Sequence, residues 1–421
     1  MLVFQYLSIL RGSLGVLRFS MNWVFAVWLS FYLYYVDFYE VCGVSVKSFG
    51  VLLLLLSLVI YNLCVGLGLG LDTMGLFILS LLIYSMLMLF NVDSWLVFYC
   101  LYEWSVVPLL YGIMKKGGYM ERYHSCYYLL IYMLFFSFPF LMWLTMVFMS
   151  GGSMDMGFLF NISSGILIFV ILLFLVKVPM YGFHSWLPKV HVESPMWGSV
   201  ILAAILIKMG LYGCMQFMVE VNSGVNYYLI VLFGVFSLLG GLFSGLMCLC
   251  NIDIKVIIAF SSVFHMTGGL WLALFNIIGF NWGLLILVLF HGFISAGLFI
   301  FVSLVGGYIG SRNVLLSIGV MSVMSFLGFL CLMLFLFNMG VPFGGGLLGE
   351  FEFFYSLFQS GLGYLWVSLI LVFSLVYNMV FFGNISLGEN FQMEFMYSEL
   401  MVLGLLLVIS MFILFLFMNM S

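Results

Sequence analysis

Residues 165–213 read GILIFVILLFLVKVPMYGFHSWLPKVHVESPMWGSVILAAILIKMGLYG. An apolar run ends at Lys177 and is cut at once by Val178–Pro179. A short polar stretch follows, then a second apolar run with Lys208 embedded in it. A helix that crosses a bilayer needs about 20 apolar residues. Proline inside a helix removes a backbone donor and clashes with the preceding turn. Broken backbone at membrane depth is tolerated where it lines a polar cavity. The stretch therefore reads as a crossing helix broken beside a lysine, followed by a crossing with a second lysine inside it.

The rest of the chain agrees. Of 421 residues, 66% are hydrophobic and 6% are charged, with 11 Lys+Arg against 15 Asp+Glu. A soluble domain carries about 25% charge, so this composition excludes soluble enzymes, nucleic-acid binders and disordered tails. The net charge of −4 points to no polyionic partner. A polytopic integral membrane protein remains. Phe (48), Gly (45) and Met (31) are abundant while Pro (6) and His (5) are scarce. That skew fits mutational bias in a small genome and hints at organellar encoding. The eight Cys form no CxxC pair and mostly sit in apolar runs, so they read as packing residues rather than a metal or redox set.

Thirteen apolar runs lie between residues 20 and 418, among them 94–113, 160–178, 197–219, 254–275, 281–305 and 315–338. Half-length pieces follow Pro179 and Pro342, and residues 1–17 would make a shortened first span. The runs are long and unalternating, which excludes a barrel. The predicted class is an all-α polytopic membrane protein of about 13–14 transmembrane helices. If 339–360 completes the eleventh element, then Arg11, Arg18, Lys115, Lys116, Arg122, Lys189, Lys255 and Arg312 all fall in connections on one side. The other side keeps Lys47 alone. The basic side is the matrix or cytoplasm.

A second break is expected at Val341–Pro342, followed by Gly344, Gly345 and Gly346. Interrupted helices in matching positions suggest internal repeats around an ion path. The expected division is N-terminal helices in 1–72, one five-helix repeat in 73–219, an inverted one in 226–383, and a C-terminal helix in 384–421.

A charge at the bilayer centre costs at least about 2.5 kcal/mol and usually marks a function. Glu103, Lys177, Lys208 and Glu350 are the candidates. Each has a plainer reading as a snorkelling or interface residue, and for Glu350 the following Glu352 strengthens it. His265 and His291 lie inside apolar runs, where packing and proton relay are about equally good readings. His184 and His191 flank the first break, and His124 is expected in a loop.

The segment 177–213 resembles the signature of the subunit 4 family of mitochondrial NADH:ubiquinone oxidoreductase, complex I. DIKVIIAFSSVFHM (253–266), LFHGFISAGLFIF (289–301) and GEF (349–351) resemble further family segments. The likeness runs from about residue 90 to the end; before that only hydropathy matches. The resemblance implies an antiporter-like membrane-arm subunit with fourteen helices and two inverted five-helix repeats. It implies proton translocation driven by ubiquinone reduction elsewhere in the complex, in the mitochondrial inner membrane. By motif, Glu103 is similar to the glutamate paired with the lysine of the first broken helix, and Lys177 to that lysine. Lys208 is similar to the central lysine, and Glu350 to the terminal glutamate of the second broken helix. His265 and His291 resemble the polar positions between them. Subunits 2 and 5 usually carry lysine at the Glu350 position. The resemblance further implies no cofactor on this chain, with NADH, FMN, iron–sulfur clusters and ubiquinone used by other subunits. Subunits 2 and 5, accessory subunits and membrane lipids such as cardiolipin would be its partners, with no nucleic acid among them.

Burial opposes charge on a lysine and a nearby carboxylate favours it. The expected mechanism is a switched pair, Glu103 with Lys177, feeding protons past Lys208 and the histidines to Glu350. Two other readings stay open: a stand-alone Mrp-type cation/proton antiporter, and a structural spacer without transport. Hydride transfer is disfavoured, since GLGLG at 66–70 sits in an apolar run.

Overall fold

The computed structural model describes residues 46–66, 72–117, 120–152, 154–156, 164–220, 227–275, 282–317, 319, 325–341, 344–361 and 363–386. The expected first helix, the C-terminal run 399–418 and Pro342 lie outside the described residues.

Fifteen α-helices carry the described chain. They are α1 (Val46–Gly66), α2 (Thr73–Leu89), α3 (Trp95–Trp104), α4 (Val106–Lys116), α5 (Arg122–Met149), α6 (Ser164–Lys177), α7 (Trp186–Glu193) and α8 (Met196–Ile201). Then come α9 (Ile207–Glu220), α10 (Tyr227–Cys250), α11 (Ile254–Phe275), α12 (Trp282–Ile309), α13 (Ser325–Asn338), α14 (Gly346–Gln359) and α15 (Gly363–Ser386). Among the described residues, seven continuous spans are long and apolar enough to cross a membrane, and four shorter apolar helices accompany them. The protein is a multi-pass helical membrane protein.

The helices form around α12. The most apolar window of α12 is wholly buried, against 28% in α5 and 22% in α15. A helix apolar on every side belongs at the centre of a bundle or against lipid, and these three divide that way. The outward face of α5 carries Phe135, Phe138, Met146 and Met149. Around α12 pack α1, α11, α13 and α14.

The two ends are tied by contacts that show which of the predicted basic connections lie together. At one end Lys116 pairs with Asp72 (3.0 Å), and Arg122 Nη1 donates to the Gly117 carbonyl (2.9 Å). Lys189 sits over the Tyr128 ring (3.7 Å), and Arg312 meets Glu193 (3.5 Å). The predicted basic connections between residues 115 and 312 therefore gather at one end. Lys255 departs from expectation: it is no loop cation but is buried, donating to the Val192 and Ser194 carbonyls. His124 lies in the first turn of α5 and not in a loop, stacked on Tyr128. At the other end, Trp95 N–H donates to the Met154 carbonyl and Met156 N–H to that of Asp93. Back at the basic end, in the connection that carries Arg312, Gly319 N–H donates to the Ile385 carbonyl. That bond brings the end of α15 back beside the connection before α13, so α13 and α14 together make one crossing.

Two of the seven spans are irregular inside. The run 94–113 turns at Ser105, because Pro108 has no N–H to give the Trp104 carbonyl. The run 197–219 contains a π-helical turn over Leu202–Leu206. Nothing in LAAIL announces it.

Candidate functional site

The first break is built by Pro179. Without its N–H, the helix closes on a wider turn in which Met180 N–H reaches the Leu175 carbonyl (3.2 Å). The Val176 carbonyl is taken instead by the indole N–H of Trp186 (3.0 Å), at the start of α7. A backbone acceptor freed by a break inside a membrane needs such a donor. Gly210 of α9 lies directly against the break: a Cβ there would come within 2.7 Å of Val178 Cγ2.

Lys177 ends α6 and is 2% exposed. Its ammonium donates to the Tyr102 carbonyl (2.8 Å) and lies over the Tyr102 ring, 3.1 Å from the centroid. A carbonyl and a π-face together stabilise a cation removed from water. Glu103 is the next residue along. It lies within electrostatic reach of Lys177 and beside the Ser137 hydroxyl, yet its Oε1 is buried with no hydrogen-bond partner. Among the described residues no ion pair joins Glu103 to Lys177. Lys177 and Glu103 are thus neighbours without a direct ion pair among the described residues.

Lys208 is fully buried on α9, one residue past the start of that helix. The π-turn explains how it is held. Ala203 lies in the widened turn, and the Lys208 ammonium donates to its carbonyl. π-Turns within α-helices are rare and gather at functional sites. The same ammonium lies 2.9 Å from Nδ1 of His291 on α12. Since an ammonium only donates, His291 Nδ1 is the acceptor when Lys208 is charged.

From His291 the polar line continues. Its ring centroid is 5.6 Å from that of His265 on α11. His265 Nδ1 lies 3.4 Å from Glu350 Oε1 on α14. A small cleft opens here, lined by Gly241, Thr267, His265, Glu350, Phe353 and Ser374. The second break supplies the room for the carboxylate. Gly340 has φ +77°, and the Glu350 carboxylate occupies the space a Cβ at Gly340 would take. Glycine is required there for both reasons.

The structure thus joins Lys208, His291, His265 and Glu350 in one line and leaves Lys177 and Glu103 as a separate pair. Residues that sequence reasoning missed complete both. Tyr102 and Trp186 serve the first break. At the second, Tyr377 Oη is 3.0 Å from His265 Nε2, Asn338 donates to Tyr377 Oη (3.3 Å) and to Asn378 Oδ1 (3.0 Å), and Asn378 donates to the Ser374 carbonyl. Tyr377 and Asn378 stand as adjacent polar residues inside LVFSLVYNMVFF, and scarcity of polar groups there was a usable signal. His191 is also fully buried, stacked on Phe299 at 4.5 Å, with both ring nitrogens buried and unpartnered. Among the described residues no three His, Cys, Asp or Glu are grouped as a metal site.

A bundle of apolar helices with two interrupted crossings and a buried lysine–histidine–carboxylate line has the make-up of an ion-translocating membrane subunit. The chain belongs to the NADH:quinone oxidoreductase/Mrp antiporter membrane family, whose model matches residues 92–377. It is 31% identical over 389 residues to NADH-ubiquinone oxidoreductase chain 4 of Ceratitis capitata, covering 87% of this chain and 83% of that one. It is 36% identical over 303 residues to the protein of that name from Artemia franciscana, covering 72% and 77%. Its fold is similar to a chain of respiratory complex I from Thermus thermophilus with bound NADH (TM-score 0.73, 20% identity, covering 86% and 78%). It is also similar to a chain of the Mrp complex from Dietzia (TM-score 0.76, 16% identity, covering 94% of this chain and 48% of that one).

Proposed function

We propose that this chain is a proton-translocating subunit 4 of respiratory complex I, moving protons across the mitochondrial inner membrane. In this reading NADH oxidation and ubiquinone reduction take place on other subunits, which hold the cofactors, and this chain does no redox chemistry. It would sit among the other antiporter-like and accessory subunits of the membrane arm, in contact with membrane lipid. The single observation that carries the reading is the buried line Lys208–His291–His265–Glu350. Each member exchanges protons and each is placed where burying it without a role would be costly. The Glu103–Lys177 pair acts as the switch at the head of that line. With the carboxylate close, the ammonium is held; here Lys177 rests on the Tyr102 carbonyl and ring, with Glu103 within electrostatic reach but not ion-paired. The two interrupted crossings belong to two inverted five-helix repeats, 73–219 and 226–383.

The test is proton pumping in assembled complexes carrying Lys208→Ala or Glu103→Gln. Loss of pumping with retained assembly is expected. Unimpaired pumping in both variants sinks the reading. A stand-alone Mrp-type antiporter shares the fold, but the chain-4 names of relatives at 31% and 36% identity favour the complex I reading. Co-purification with redox subunits separates the two.

A further inference from the structure

Asn338, Tyr377 and Asn378 are buried beside His265 and take no part in the line described above. Their hydrogen bonds have a fixed direction. The Ser374 carbonyl only accepts, so the amide nitrogen of Asn378 must face it. The Asn378 oxygen then faces Asn338 and accepts from the Asn338 amide nitrogen. The second hydrogen of that nitrogen points at Tyr377 Oη. With its oxygen accepting there, the tyrosine hydroxyl has its own hydrogen to give, and its other neighbour is His265 Nε2. Pairing this buried hydroxyl hydrogen assigns Nε2 as the bare nitrogen of a neutral ring, with the ring hydrogen on Nδ1, which faces Glu350 Oε1.

We propose that Tyr377, backed by Asn338 and Asn378, is a positioning residue that locks His265 in the Nδ1–H tautomer aimed at Glu350. The proposal rests on the proton-transfer reading of this site. It has a mechanical consequence. Both nitrogens of His265 are engaged, so His291, 5.6 Å away between ring centroids, faces no free nitrogen to which it can hand a proton. Passage from His291 requires the His265 ring to swing off Tyr377 and return. The tyrosine arm itself is no wire, because the group behind it is an amide, which neither takes up nor releases protons near neutrality. Tyr377 sets the resting position of a moving carrier.

The test uses the assembled complex and reads the tautomer directly. Infrared or ¹⁵N spectra are taken as differences against a His265→Gln variant, which isolates the His265 signal. The native complex should show the Nδ1–H form. Tyr377→Phe keeps the ring and its packing but removes the hydroxyl, and should give a mixture of tautomers with pumping lowered about tenfold, the usual scale for losing an orienting partner. Asn338→Leu leaves the tyrosine in place but frees its hydroxyl to point either way, and should mix the tautomers too. This variant carries the test if Tyr377→Phe does not assemble. An Nε2–H form in the native complex, or an unchanged Nδ1–H form in the variants whatever their pumping rate, overturns the proposal. Glu350→Gln separates this from the underlying reading: normal pumping there removes the proton-line reading, while the tautomer result still stands or falls by its own spectrum.

Discussion

The two breaks solve one problem with different chemistry. At the first, a lysine is held by backbone and ring, the Tyr102 carbonyl and the Tyr102 face, while an indole N–H closes the Val176 carbonyl freed when Met180 shifts to Leu175. At the second, a carboxylate is held against an imidazole, and that imidazole is oriented by a chain of side chains ending at Asn378. A backbone carbonyl has no proton to exchange and a fixed position, so the first site can hold or release a cation but cannot relay a proton through its supports. The second contains side chains whose hydrogens can be redirected. The difference suits a switch at one break and a carrier at the other.

Substitutions can break that contrast, and the largest effect belongs to Lys208, which carries the buried line from α9 to His291 on α12. Lys208→Ala should lower pumping by about 100-fold, the scale of losing a positioned proton-transfer group, with assembly intact by native gel. Gly340→Ala comes next. Its Cβ would enter the space of the Glu350 carboxylate and its φ of +77° disfavours any side chain. It should destabilise the second break by about 1–3 kcal/mol, seen as inactivation at lower temperature and reduced pumping together. Trp186→Phe strands the buried Val176 carbonyl and should cost roughly 1–3 kcal/mol. It lowers thermal stability, with less effect on the pumping rate than Gly340→Ala because no proton carrier moves. The smallest effect separates ring from hydroxyl at Tyr102. Tyr102→Phe keeps a face over Lys177 and should pump near the native rate. Tyr102→Leu removes the face and should pump about fivefold more slowly, the equivalent of one cation–π contact. Equal rates in the two variants would show that the carbonyl alone supports the lysine.

Much of this was legible in the order of residues. Pro179 marked its break, because a missing N–H acts locally. Lys177, Lys208, His265, His291 and Glu350 stood out because polar groups are scarce in apolar runs. The same test applied to Tyr377 and Asn378 in LVFSLVYNMVFF would have found them. The π-turn at Leu202–Leu206 had no such signal. Neither did the role of Tyr102, whose useful atom is a carbonyl that every residue possesses. Lys255 was misjudged as a loop cation because its position at the start of a helix said nothing about the Ser194 carbonyl lying 3.3 Å from its ammonium.

The sequence alone determined that the chain is a helical membrane protein, and it determined which end carries most of the cations. Both follow from transfer between water and hydrocarbon, a property each residue has wherever its neighbours are. Only the tertiary structure decided that Lys208 meets His291 across 83 residues and that His265 meets Tyr377 across 112. Those contacts depend on how each helix is rotated about its own axis, and in runs apolar on every side hydropathy leaves that rotation open. Packing at Gly210 and Gly340, together with the hydrogen bonds a buried polar group must make, sets it.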